Sequence, residues 1–218
     1  MPKRFDLLVF DWDGTLMDSA GVIVASVQAA CRDVGLPEPS DERARHVIGL
    51  GLAEALAELL PDLEPATYGR LAERYRYHFL SQDEAIPLFP GVTEAVAALY
   101  EAGFLLAVAT GKSRRGLDRA LKHTGLAAYF HGSRCADESY SKPHPQMLLD
   151  IMDQFGVSPA KTLMIGDTSH DLQMAVNAGV AALGAAYGAH PKSDLTAFSP
   201  LACADDFAEL GRWLQTHA

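Results

Sequence analysis

The feature that most constrains the fold is a set of short apolar runs that each stop at an acidic residue or a glycine. The runs cover residues 7–10, 104–111, 162–167 and 180–184, and a weaker one covers 129–133. Runs of this kind are typical of strands buried on both faces of a parallel sheet. Helical patterns at residues 92–102, 114–124, 145–155 and 172–178 separate the later runs, and three of them stop at a glycine. The alternation predicts an α/β fold with a doubly wound parallel sheet, a Rossmann-like core.

One segment interrupts this alternation between the first and second predicted strands. Residues 18–87 contain no strand pattern but show helical patterns at 21–34, 41–48, 52–60 and 66–81. A crossover between parallel strands needs only a dozen residues or somewhat more. We therefore predict an inserted α-helical cap domain over residues 18–87, and an α/β core made of residues 1–17 and 88–218.

Composition limits the class of partner. The chain has 218 residues, a formal net charge of −10 and 3 cysteines. Such a charge disfavours nucleic acid and anionic membranes, and the widely spaced cysteines favour reduced thiols over a disulfide framework. No signal peptide or apolar stretch of membrane-spanning length is visible. We expect a soluble, cytoplasmic monomer or homodimer that binds a small molecule.

Polar groups follow each strong predicted strand, at the edge where an open α/β sheet binds ligands. Several carboxylates there favour Mg²⁺, which prefers oxygen ligands. A lysine and a hydroxyl beside the metal suit phosphoryl transfer, in which catalysis is mainly positioning and charge neutralisation. The candidates are Asp11, Asp13, Thr110, Gly111, Lys112, Lys142, Asp167 and Asp171.

Each candidate also has a purely structural interpretation. Asp167 and Asp171 are placed to cap the following helix, because acidic residues favour helix N-termini. Thr110 is placed to end a strand, and Lys142 is one of many lysines that a surface could carry. The joint placement at successive strand ends favours a site over these separate interpretations.

Two other phosphate motifs fail on their spacing. Gly111-Lys112-Ser113 follows a predicted strand like the end of a P-loop, but the required first glycine is replaced by Leu106. Gly49-Leu50-Gly51 imitates a dinucleotide-binding loop, but it follows no strand and Glu54 stands where the third glycine belongs.

Four motifs in order along nearly the whole chain resemble the haloacid dehalogenase superfamily. They are Asp11-Trp12-Asp13-Gly14-Thr15-Leu16, Thr110, Lys142-Pro143 and Gly166-Asp167-Thr168-Ser169-His170-Asp171. The long gap after the first motif resembles the branch with a helical cap inserted there, capped subfamily I. Within that branch the chain is most similar to phosphoglycolate phosphatases and their neighbours.

The resemblance implies a role for each motif residue. Asp11 would be the nucleophile that forms an aspartyl-phosphate, and Asp13 the general acid and base, with its backbone carbonyl also on Mg²⁺. Asp167 would be a direct metal ligand, and Asp171 would hold the metal or its waters. Thr110 and the amide of Gly111 would bind phosphoryl oxygens.

Lys142 would offset the charge of nucleophile and phosphate. The Lys142–Pro143 bond is a candidate for the cis form, which sequence does not decide.

Differences between this chain and other members of the superfamily limit the reactions that it could catalyse. Dehalogenases and phosphonate-cleaving members lack the acid at the position of Asp13, and mutases of the β-phosphoglucomutase type carry a histidine where this chain has Ile23. We therefore expect a Mg²⁺-dependent phosphatase acting on a small organic phosphate, with phosphoglycolate as the first candidate. A sugar-phosphate or nucleotide phosphatase is the alternative within the family. A phospho-accepting regulatory module with little turnover is the alternative of another class.

Substrate selection is expected in the cap. Arg45 and His46 precede a segment that resembles the cap specificity loop, so either could meet a substrate carboxylate. The alternative for both is a solvated helix face. For His144 and His170 we favour the start of a helix over a role at the metal.

Overall fold

The sheet of the predicted core is present and entirely parallel. The computed structural model describes residues 3–218. The strands are β1 (Leu7–Phe10), β2 (Leu105–Thr110), β3 (Gly132–Cys135), β4 (Thr162–Gly166), β5 (Ala181–Ala185) and β6 (Cys203–Ala204). Over the described residues they form one sheet in the order β3-β2-β1-β4-β5-β6. This confirms the predicted α/β class with a doubly wound parallel sheet.

Helices connect the strands and cover both faces of the sheet. They are α1 (Ala20–Asp33), α2 (Asp41–His46), α3 (Leu52–Leu59), α4 (Pro65–Leu80), α5 (Val92–Glu101), α6 (Arg114–Thr124), α7 (Gln146–Phe155), α8 (Ser169–Ala178), α9 (Lys192–Thr196) and α10 (Phe207–His217). Short 3₁₀ helices lie at Asp83–Ala85, Leu126–Ala128 and Pro159–Lys161.

The side chains of β1 alternate between two apolar layers. Leu8 and Phe10 pack in one cluster with α5, α6 and α10, while Leu7 and Val9 pack in the other with α7 and α8. All four side chains are fully buried. Burial on both faces explains why the first strand is a continuous apolar run rather than an alternating one.

The register places the carboxyl ends of three strands side by side. Phe10, the last residue of β1, pairs with Val108 of β2 on one side and with Ile165 of β4 on the other. Residues that follow these strands therefore meet at one edge of the sheet, which is where the polar candidates were predicted.

The segment between β1 and β2 is helical and has an apolar core of its own. The described residues 20–85 contain α1 to α4 and a 3₁₀ helix but no strand. Buried side chains of α1, α3 and α4 form that core, among them Val27, Leu56 and Leu71. The two chain passages to the sheet meet where Asp18 N donates to Pro87 O at 3.0 Å. This hydrogen bond joins the two residues that were predicted as the limits of the cap, 18 and 87. The limits themselves stay a prediction.

The structure differs from the sequence reading mainly near the sheet edges. β3 begins at Gly132 rather than at position 129, because its pairing with β2 begins at Gly132, opposite Ala107. β6 has two residues, too few for any period-two pattern to be detected. The Lys142–Pro143 bond is cis. No helix within residues 3–218 has both the length and the apolar character needed to cross a bilayer.

Candidate active site

Three buried carboxylates lie together at the carboxyl edge of the sheet. Asp11 follows β1, Asp167 follows β4, and Asp171 lies in the first turn of α8. One carboxylate oxygen from each lies within 4.8 Å of the others, and all three residues are 0% exposed. Three carboxylates buried this close together repel one another and are stable in ionised form only if positive charge lies beside them.

Lys142 supplies part of that charge from the loop that precedes α7. Its Nζ donates to Asp11 Oδ1 at 2.7 Å and lies 2.6 Å from Asp171 Oδ1. Its side chain has 0% exposure, so water does not screen these ion pairs. The alternative of a surface lysine therefore does not describe Lys142.

The pKa values follow from burial and from the crowding of like charges. Burial raises the pKa of Asp11 well above its ordinary value, although Lys142 opposes this. Burial and the neighbouring Asp171 raise the pKa of Asp167 to about 7. Burial alone would lower the pKa of Lys142, but Asp11 and Asp171 raise it above the ordinary lysine value. The lysine is therefore charged at neutral pH, and the carboxylates still lack full compensation.

The donor set fits a divalent cation with oxygen ligands. Among the described residues, Asp11 Oδ2 is a buried oxygen with no hydrogen-bond partner. Asp11 belongs to the same cluster as Asp167 and Asp171. Carboxylate oxygens are the ligands that Mg²⁺ and Ca²⁺ prefer, so these three residues could hold such an ion.

Asp171 has two roles, one for each carboxylate oxygen. Oδ2 accepts a hydrogen bond from Thr168 N at 3.1 Å, and Thr168 Oγ1 accepts one from Asp171 N at 3.3 Å. This is the capping box of α8. Oδ1 faces Lys142. The structural and the functional interpretation of Asp171 thus describe different atoms of the same side chain.

Asp167 does not cap the helix but is fixed from two other loops. Thr15 Oγ1 donates to its Oδ1 at 2.7 Å, and Ala189 N donates to its Oδ2 at 2.8 Å. The backbone at Gly14 has φ +81° and passes so close that a Cβ there would clash with the Asp167 carboxylate. The carboxylate is therefore held in one orientation before any ligand binds.

Asp13 lies beside the cluster, and its carboxylate has different partners. Ser19 Oγ donates to Asp13 Oδ1 at 2.6 Å, and Lys112 Nζ lies 2.9 Å from the same oxygen. The Asp13 side chain does not belong to the carboxylate cluster of the described residues. The predicted metal contact of Asp13 involves its backbone carbonyl and stays a prediction.

Thr110 ends β2, and Gly111 follows it, next to the loop that joins α2 to α3. Thr110 Oγ1 accepts a hydrogen bond from Lys112 N at 3.2 Å. A Cβ at position 111 would clash with the carbonyl oxygens of Gly49 and Leu50, so only glycine allows the two loops this close. Gly51 N donates to Ser141 Oγ at 2.8 Å and further ties the helical segment to the sheet.

A cavity of about 540 Å³ lies between the helical segment and the sheet. Asp11, Asp13, Thr110 and Gly111 lie at its polar end. Its remaining walls are mostly apolar and come from α1, α3 and α4, with Lys112, Arg115 and Arg119 on the sheet side. The cavity has room for a small molecule with one end at the carboxylates.

Arg45 and His46 line a different cavity, of about 860 Å³, with Tyr187 and His190. The carbonyl oxygen of His46 lies 2.8 Å from His170 Nε2 and 3.1 Å from His190 Nε2. The structure therefore does not bring Arg45 and His46 together with Asp11 and Asp13, and their selection of substrate stays a prediction. His170, in the first turn of α8, contacts the helical segment.

Sequence reasoning missed several residues that hold the site. Lys112 was named among the polar groups that follow β2 but was given no role in the site. Thr15 lay inside the first motif but was given no role. Ser19 and Ala189 carried no pattern that could have identified them, because their contacts depend on tertiary packing.

Comparison with protein families gives one extended match. Residues 8–185 match the model of the family described as haloacid dehalogenase-like hydrolase. A protein named "Probable phosphatase IndB" from Dickeya dadantii (strain 3937) is 37% identical over 94% of this chain and 91% of its own length. A phosphoglycolate phosphatase from Vibrio vulnificus (strain YJ016) is 32% identical over 95% of both chains.

Solved structures agree with these sequence matches. The crystal structure of a predicted phosphoglycolate phosphatase from Haemophilus somnus 129pt superposes with a TM-score of 0.85 and 26% identity. The match covers 97% of this chain and 99% of that chain. The likeness therefore extends over the sheet and the helical segment together.

Proposed function

Because this chain belongs to the haloacid dehalogenase-like hydrolase family and is a phosphatase, we propose that it hydrolyses small organic phosphate monoesters through an aspartyl-phosphate on Asp11. The observation that carries this proposal is the buried cluster of Asp11, Asp167 and Asp171 around Lys142, with Asp13 beside it. A structural ion-pair network would leave no carboxylate oxygen of Asp11 without a partner, whereas one is left here.

In the first half of the proposed reaction, the Asp11 carboxylate attacks the phosphorus atom. The bond from phosphorus to the leaving oxygen breaks, and a protonated Asp13 gives its proton to that oxygen. Lys142 and the backbone amide of Gly111 offset negative charge on the phosphoryl oxygens, and Thr110 Oγ1 donates to one of them. The alcohol leaves, and the phosphoryl group remains on Asp11.

In the second half, water attacks the phosphorus of the aspartyl-phosphate. Asp13, now a carboxylate, takes a proton from that water, and the bond from phosphorus to Asp11 breaks. Inorganic phosphate leaves, and both aspartates return to their starting states. Ser19, which donates to Asp13 at 2.6 Å, keeps the carboxyl group in place for both proton transfers.

The proposed cofactor is Mg²⁺, held by Asp11, Asp167, Asp171 and the carbonyl of Asp13. When bound, it would neutralise charge on the phosphoryl group and on the crowded carboxylates. The unpartnered Asp11 Oδ2 and the raised pKa values of Asp11 and Asp167 support a cation in this cluster.

Phosphoglycolate is the first candidate substrate, since relatives of about 30% identity are phosphoglycolate phosphatases. Sugar phosphates and nucleotides are the alternatives, because the cavity of about 540 Å³ also accommodates larger leaving groups. The relatives' enzymatic names disfavour a regulatory module with little turnover. Action in the cytoplasm, as a monomer or homodimer without nucleic-acid or membrane partners, stays a prediction.

The proposal is tested with p-nitrophenyl phosphate, whose leaving group needs little protonation to depart. We expect turnover that requires Mg²⁺, stops with EDTA, and falls at least about 10³-fold in Asp11→Asn, because an amide is a poor nucleophile. The exposed Asp62→Asn is the matched control and should keep full activity. Normal turnover in Asp11→Asn would contradict the nucleophile, and turnover that survives EDTA would contradict the metal.

A further inference from the structure

Lys112 is a charged group in the active-site cavity for which the mechanism above has no role. It is the third residue after Ala109 in the loop that ends β2, and it lines the same cavity as Asp11 and Asp13. Its side chain is 11% exposed. The charge of a lysine so far removed from water must be compensated by neighbouring groups. Two contacts of the ammonium identify these groups.

The first contact is with the proposed general acid. Lys112 Nζ lies 2.9 Å from Asp13 Oδ1, the oxygen that Ser19 also contacts. The second contact is with the helical segment, since the ammonium lies 4.7 Å from the centre of the Phe79 ring on α4. Phe79 in turn stacks on Tyr75 at 5.9 Å. The ammonium is therefore held between the sheet and the cap.

This arrangement leaves donors free for a ligand. An ammonium has three N–H donors, and within residues 3–218 Asp13 is its ion-pair partner. The aromatic face attracts the charge without accepting a conventional hydrogen bond. At least one donor therefore remains available on the cavity side.

The position of Asp13 indicates which part of a bound substrate the free donors of Lys112 could contact. An acid that protonates the leaving oxygen must come within hydrogen-bond distance, about 3 Å, of it. Since Lys112 Nζ is 2.9 Å from Asp13, a leaving oxygen in contact with the Asp13 carboxyl group would lie within roughly 6 to 8 Å of the ammonium. An anionic group one or two bonds beyond the leaving oxygen would fall within its reach.

We propose that Lys112 is a specificity-determining residue that selects phosphate monoesters carrying a carboxylate on the carbon next to the ester oxygen. This inference rests on the proposed function. The carboxylate binds the free donors of Lys112, and the ring of Phe79 keeps the ammonium in place. The role suggested by sequence for Arg45 and His46 is thereby assigned to a residue inside the cavity.

The test uses two substrates that differ only in the recognised group. Phosphoglycolate carries the carboxylate, and 2-hydroxyethyl phosphate carries a neutral hydroxymethyl group in its place. For the native enzyme we expect kcat/KM to favour phosphoglycolate by at least about tenfold, since one hydrogen bond to a charged group contributes that much.

Lys112→Met should remove most of this preference. We expect kcat/KM for phosphoglycolate to fall about 10- to 100-fold, mainly through KM, with a much smaller fall for 2-hydroxyethyl phosphate. Lys112→Arg should restore part of the preference, because it keeps the charge. Lys122→Met, which removes an exposed lysine on α6, should leave the preference unchanged.

Three outcomes would overturn the inference. In the first, Lys112→Met lowers kcat/KM equally for both substrates, which indicates a purely structural lysine. In the second, Arg115→Met removes the preference and Lys112→Met does not. In the third, the native enzyme turns over p-nitrophenyl phosphate but shows no preference, which leaves the proposed function intact. Absence of turnover with every phosphate would instead reject the proposed function, and this inference with it.

Discussion

Replacement of Lys142 by methionine gives the largest predicted effect on stability. Methionine roughly preserves the volume but removes the only cation near three buried carboxylates in the described chain. Breaking a buried ion pair by removing one partner costs about 3–5 kcal/mol. Because Lys142 contacts both Asp11 and Asp171, we take the upper part of this range, about 4–5 kcal/mol. That is a large fraction of the roughly 5–15 kcal/mol by which a folded protein is stable.

The cost of this substitution should depend on pH. In the native protein the raised pKa of Lys142 means that its contribution is fully present below the ordinary lysine pKa of about 10.4 and is lost only above it. In the variant, the pH dependence of stability is set by the buried carboxyl groups. Folded pKa values raised above the unfolded ones, as for Asp11 and Asp167, favour folding at low pH and oppose it as pH rises. The destabilisation should therefore be smaller near about pH 5 than near about pH 8.

Urea unfolding in the presence of EDTA measures this effect directly. With a urea m value of about 2 kcal/mol/M, the expected loss moves the midpoint down by about 2 M near pH 8. The exposed Lys122→Met is the control and should move it by less than about 0.3 M. A change of under about 1 kcal/mol for Lys142→Met, or a larger loss at pH 5 than at pH 8, would refute the assumption that Lys142 compensates buried charge.

Two further substitutions test other parts of the site. Asp13→Asn should lower kcat about 10²- to 10⁴-fold for an alkyl phosphate but much less for p-nitrophenyl phosphate, whose leaving group needs little protonation; equal losses in steady-state assays would speak against a general acid. Gly111→Ala should destabilise the fold by about 1–3 kcal/mol and raise KM, because its Cβ would clash with Gly49 and Leu50. Gly69→Ala, in an exposed turn of α4 with open space around it, should instead stabilise by about 0.5–1 kcal/mol in the same denaturation assay.

The fold could be predicted where local pattern and burial agree. β1, β2, β4 and β5 are short apolar runs that end at the ligand edge. The helices α6, α7 and α8 stop at a glycine, as their patterns predicted. β3 was placed too early because its sequence, Gly132-Ser133-Arg134-Cys135, is only partly buried and carries little apolar signal. β6 follows from its pairing with β5 rather than from its own sequence.

The candidate site also has residues that could be predicted from the sequence and residues that could not. Asp11 and Asp167 follow buried strands, so their convergence could be inferred from topology alone. The surroundings of Arg45 and His46 could not be inferred, because they depend on how α2 lies against the sheet. The contact of Asp13 with Ser19, the residue before α1, likewise depends on tertiary packing that no motif in the sequence encodes.

The net charge of −10 can now be weighed against an anionic substrate. At physiological ionic strength, exposed charges act over a screening length of about 8 Å, so most surface acids contribute little inside the cavity. Lys142 and Lys112 have side-chain exposures of 0% and 11%, and interactions there are screened much less. These two lysines and the proposed Mg²⁺, rather than the net charge, should therefore determine whether a phosphate binds. The net charge still disfavours nucleic acid, whose many phosphates would have to approach the acidic surface itself.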